Sequence, residues 1–144
     1  MKYILSFLLF TSLLLGADWK IHKTLMLKKD ELVKIMILTQ SVDKDNPNRE
    51  LFELRWTLFH NDILTLFSSF AGFMKQSTIR EVYPNKSFSV ELMGRGRSVY
   101  PPPTLLVQFS EYDYENKRAV IELLLKDPKE LVELDFLTKH EEKR

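Results

Sequence analysis

With 144 residues and no cysteine, the chain can bury one hydrophobic core, but it has no disulfide, no thiolate metal site and no lipidated cysteine. Its 21 basic and 20 acidic residues nearly cancel. They leave neither the basic stripe of a nucleic-acid binder nor a polybasic patch for a membrane surface, so neither partner is expected.

The N-terminus "MKYILSFLLFTSLLLGADWK" has the layout of a secretory signal peptide. Lys2 supplies a short positive region, Ile4 to Leu15 an apolar run, and Gly16-Ala17 a small pair before Asp18, which places cleavage after Ala17. The run is shorter than the roughly 20 residues of a spanning helix. An uncleaved signal anchor is the alternative, because Leu15 is a poor residue three places before the cut. The reading is therefore a signal peptide over 1–17, one domain over 18–137 and a charged, fraying tail over 138–144. The protein is expected in the periplasm, without strong membrane association once the signal is removed. Leader and composition look like those of small bacterial envelope proteins, and no motif carries over from that likeness.

Alternation with a period of two runs through the rest. "WKIHKTLML" puts Trp19, Ile21, Leu25 and Leu27 on one side, with Lys23 interrupting. "LVKIMILT" puts Val33, Ile35 and Ile37 on one face, and its β-branched residues favour a strand. A helix over Lys28 to Leu38 competes, because Leu32, Ile35 and Met36 are helically spaced. Residues 41–50, "SVDKDNPNRE", read as a loop. "LFELRWTLF" then alternates Phe52, Leu54, Trp56 and Leu58, and His60-Asn61-Asp62 reads as a hairpin tip.

"ILTLFSSFAGFM" reads as one long apolar strand over 63–74, with Gly72 marking a bulge or a close backbone approach. Trp56, Phe67, Phe70, Phe73 and Met74 crowd the middle of the chain and are expected in the core. If the 63–74 strand lies at an edge, its continuous apolar run makes a docking surface instead. "YPNKS" is a turn, and Phe88, Val90 and Leu92 alternate after it. Leu105, Val107 and Phe109 follow, and "SEYDYENK" reads as a polar tip. "AVIELLLK" and "LVELDFL" are expected to pair around Asp127-Pro128-Lys129-Glu130, with Val132, Leu134 and Phe136 inward.

Seven to nine short strands, with no long amphipathic helix and no repeat, predict an all-β antiparallel β-sandwich, immunoglobulin-like by architecture. A small β-barrel is the alternative.

No chemistry stands out. "GRGRSVYPPP" sets Arg95 and Arg97 between glycines and follows them with Tyr100, Pro101, Pro102 and Pro103. Paired arginines grip carboxylates or phosphates, and a proline run offers a stiff surface to a partner. The leading reading is still a rigid inter-strand crossover with solvated arginines, because no helix opens after the glycines and no P-loop lysine is present. These six residues are the candidate partner-binding set. Asp43, Asp45 and Asn48 are spaced oxygen donors, but a calcium loop counted from Asp43 needs glycine at position 48 and glutamate at position 54. His22, His60 and His140 are not at zinc spacing. Ser68 and Ser69 lack a nucleophile elbow, and Asp113 and Glu115 read as solvent charges. No cofactor, metal or catalytic residue is assigned. The expected function is an exported, non-catalytic β-domain that binds another cell-envelope protein as an accessory or assembly subunit. The alternatives are a periplasmic barrel that carries a small apolar ligand, and a hydrolase whose site forms only on folding.

Overall fold

The computed structural model describes residues 19–40, 48–82, 86–93 and 101–142. Within them the chain forms ten strands: β1 (Ile21–Lys28), β2 (Val33–Thr39), β3 (Asn48–His60), β4 (Ile63–Phe70), β5 (Phe73–Arg80), β6 (Ser87–Glu91), β7 (Thr104–Asp113), β8 (Arg118–Lys126), β9 (Val132–Phe136) and β10 (Glu141–Glu142). They make two antiparallel sheets, in the orders β10-β1-β8-β7-β6 and β5-β4-β3-β2-β9. The two sheets pack as a sandwich and do not close into a barrel. Two meanders, β2 to β5 and β6 to β8, supply most of the pairing. The likeness to an immunoglobulin domain is one of architecture, two packed antiparallel sheets, as expected. Among the described residues no helix is long and apolar enough to cross a membrane.

Alternation builds the core as expected. Val33, Ile35, Ile37, Phe52 and Leu54 are fully buried, and from the other sheet so are Leu25, Leu27, Leu105, Val107, Phe109, Ile121 and Leu123. Residues 33–39 form a strand and not the competing helix, because Val33, Ile35 and Ile37 each face this core. β8 is buried on both sides, since Val120 and Leu124 are covered on its outer face as well.

Two β-bulges change the expected pattern. The β3–β4 register shifts between Trp56 and Leu58, and the β7–β8 register shifts between Phe109 and Glu111. An extra residue in one strand reverses the parity of everything after it. Leu58, expected inside, is therefore 56% exposed, and Phe59 packs inward in its place. Tyr112, expected at a polar tip, also turns in and stacks on Phe59 at 4.0 Å between ring centroids. Trp56 meets Tyr112 edge to face, so the two bulges build one aromatic plug at this end of the sandwich.

Four further expectations are corrected. Asn48, Arg49 and Glu50 belong to β3 and not to a loop, since they pair with Thr39, Leu38 and Ile37. The 63–74 segment is not one strand: Ala71 and Gly72, with φ of 51° and 79°, make a two-residue hairpin turn between β4 and β5. "AVIELLLK" and "LVELDFL" do not pair, because β8 lies in one sheet and β9 in the other. Nor does 138–142 trail away. The chain there returns to β1, where Glu141 and Glu142 pair with Met26 and Leu25. The His60 to Asp62 tip forms as read, with Asn61 and Asp62 both at positive φ.

Candidate functional site

The two lateral seams of the sandwich differ. On the β1–β9 side the sheets are bridged: the Lys23 ammonium lies 4.2 Å from the Phe136 ring centroid and 2.7 Å from Glu142 Oε1. On the other side β5 pairs only with β4, and β6 only with β7, among the described residues. Two strand edges thus face one seam without being joined.

The β4–β5 turn shapes this seam. Two consecutive positive-φ residues let the chain reverse in the sense of the sheet twist, which sets Phe70 opposite Phe73. Phe73, Lys75, Ser77 and Ile79 share the core-facing side of β5. Ile79 is buried, but Phe73, at the other end of the strand, is 80% exposed. The result is a groove of about 510 Å³ lined by Phe70, Phe73, Lys75, Val90, Glu91 and Met93. Lys75 Nζ reaches across it to 5.5 Å from the Phe88 ring centroid. On the outer face of β5, Met74 is 82% exposed beside a smaller hollow of about 250 Å³ with Leu32, Arg55 and Phe67.

The expected aromatic core is therefore split. Trp56 is buried, Phe67 and Phe70 are partly covered, and Phe73 and Met74 are surface residues on an edge strand. Ser68 is nearly buried between them, and the Ser69 hydroxyl donates to Glu53 Oε2 at 3.2 Å.

Of the partner-binding set, Arg95, Arg97 and Tyr100 lie outside the described residues, as do Asp43 and Asp45. Pro101 is exposed, Pro102 partly covered and Pro103 buried. The Leu92 N–H donates to the Pro103 carbonyl at 2.9 Å, which closes the base of the segment. β6 and β7 are antiparallel neighbours in one sheet, so the segment joins one strand to the next, as expected. It leaves the sheet at the groove, which Met93 lines.

The histidines do not meet one another. His22 sits 3.5 Å from Glu122 on the outer face of β1 and β8, and among the described residues no three acidic or histidine side chains are placed to hold a metal. Asp113 is a turn cap: it accepts from the backbone N–H of Glu115 and Asn116, and the Asn116 side-chain and backbone bonds hold its carboxyl below the usual range.

His140 is the residue that sequence reasoning missed. Its Nδ1 lies 2.8 Å from Glu31 Oε1, its Nε2 is bonded to Thr138 Oγ1, and its ring is only 3% exposed. Carboxylate, imidazole and hydroxyl stand in the order of a nucleophilic relay. A ring so enclosed leaves a substrate no approach, and Thr138 Oγ1 also accepts the Lys34 N–H. The cluster is a latch that ties the C-terminal segment to the β1–β2 turn. Partial burial pushes the Glu31 carboxyl up, but the Lys28 N–H and the His140 ring outweigh it and hold the pKa below its ordinary value.

A carboxyl whose pKa falls on folding stabilises fully above its unfolded value, and that contribution is lost as pH drops through the lowered one. Glu31→Gln is therefore expected to be less stable than wild type at pH 7 by about 1 kcal/mol. The difference should narrow as pH falls below the ordinary glutamate range. Urea unfolding across this range measures it, and a difference independent of pH would remove the latch account.

No protein-family model, no curated protein and no solved structure matches this chain.

Proposed function

We propose that this chain is an exported, non-catalytic β-sandwich domain that takes an extended segment of another cell-envelope protein along the free edge of β5. The observation that carries the reading is Phe73 and Met74, large apolar side chains left uncovered on a strand whose outer edge has no partner among the described residues. Free edges pair with incoming strands unless they are guarded. The other edges are guarded. β9 alternates Glu133 and Asp135, β6 has five residues, and β10 has two. The signal-like N-terminus supports export.

A photo-crosslinking amino acid placed at Met74 in the native host tests this. It is expected to capture one or two specific envelope proteins, while the same group at Leu137, exposed on the β9 side, captures none. Equal capture at both positions, or none at Met74, would sink the proposal.

A second reading, carriage of a small apolar ligand, is favoured by the groove between β5 and β6. Its volume falls within the range of ligand sites, roughly 300–1,000 Å³. The carrier would be an open seam in a sandwich and not the interior of a barrel.

A further inference from the structure

We infer that the β5–β6 groove binds a single-chain amphiphile with one anionic head group, its carboxylate at Lys75 and its alkyl chain along Phe70, Phe73 and Val90. The inference rests on the carriage reading and names the ligand class.

Three features of the groove converge on that class. Its walls are mainly apolar, and Phe73 offers nearly its whole ring to whatever lies there. An alkyl chain removes such surface from water without asking the walls for hydrogen bonds. Lys75 is the groove's cation. Among the described residues it forms no ion pair, and its ammonium is held at the seam over Phe88. An anion beside an apolar bed is the complement of this arrangement, because low-dielectric walls strengthen the attraction. Glu91 stands in the groove as well, on the β6 side. Its charge disfavours a second negative group, so the match is to one carboxylate and not to a dianion such as a phosphate monoester.

Palmitate is the probe, added to the purified full-length chain and followed by native mass spectrometry and by displacement of a fluorescent fatty acid. A one-to-one complex is expected. Lys75→Gln should weaken it about tenfold, the scale of a lost hydrogen bond to a charged group. Phe73→Ser should weaken it roughly fivefold through lost apolar burial. Both side chains are exposed, so circular dichroism and unfolding midpoints should be unchanged, and the loss cannot come from misfolding. Hexadecanol and hexadecyltrimethylammonium serve as the neutral and cationic counterparts. If either binds as tightly as palmitate and Lys75→Gln has no effect, the anionic class is overturned while carriage stands. If none of the three binds, carriage and the inference fall together, and the β5-edge proposal is judged by its own cross-links.

Discussion

Trp56→Ala is expected to lower the stability of the folded domain by about 3–5 kcal/mol, the range for removing a large buried aromatic. Trp56 sits where three constraints meet. Its ring is 3% exposed and meets Tyr112 edge to face at 5.9 Å. Its Nε1–H donates to the Leu27 carbonyl at 2.8 Å, tying β3 in one sheet to β1 in the other. Its own carbonyl accepts the Asp30 N–H at 2.9 Å and so holds the β1–β2 turn. Backbone carbonyls survive mutation, so the last bond tests nothing by itself. Trp56→Phe separates the contributions. It keeps most of the apolar volume and removes the donor, and the expected loss is about 1–2 kcal/mol. Urea unfolding followed by far-UV circular dichroism measures both. An alanine variant within 1 kcal/mol of wild type would show that the aromatic plug does not support the fold.

The second large effect is expected at Asp127. Its carboxylate is buried, and it accepts the backbone N–H groups of Leu131 at 3.0 Å and Val132 at 2.8 Å. The Lys20 ammonium lies 3.3 Å away and also donates to the Val132 carbonyl at 2.7 Å. Asp127 thus fixes the one short turn that carries the chain from β8 in one sheet to β9 in the other. Asp127→Ala removes the acceptor of two N–H groups at this point, and each unsatisfied buried group costs about 1–3 kcal/mol. A loss of about 2–4 kcal/mol is expected, with Asp127→Asn in between, since one amide oxygen still accepts. Amide hydrogen exchange gives a local readout. Val132 should exchange markedly faster in the alanine variant, while β4 amides keep their relative protection. Uniformly faster exchange would mean a global effect instead of a turn-specific one.

Neither residue announces its role in the sequence. Trp56 reads as one more inward member of an alternating run, which it is. Nothing nearby in the chain says that its indole reaches Leu27, 29 positions earlier. Asp127 reads as a turn residue ahead of proline, also correctly, but the turn was expected to close a hairpin. Whether two strands around a tight turn pair or part depends on where their other neighbours lie. β8 already has β1 and β7 on its two sides, so β9 has no edge of β8 to take.

By itself, the sequence determined the class of fold and most of its strands. Side-chain alternation is a local property of extended backbone, and the turn chemistry of Asn61-Asp62 is equally local. That is why β1, β2, β7, β8 and the first hairpin were legible. Tertiary structure alone decided the rest. The bulges after Trp56 and Phe109 reverse parity because aromatic rings from opposite sheets fill one space, and no single strand records that fit. It also decided that β5 is an edge, that the β5–β6 seam stays open while Lys23 and Phe136 bridge the other, and that His140 meets Glu31 across 109 residues. Such contacts depend on which strands become neighbours. That is set by the packing of two whole sheets, and a period-two pattern, identical at an edge and at a centre, carries no mark of it.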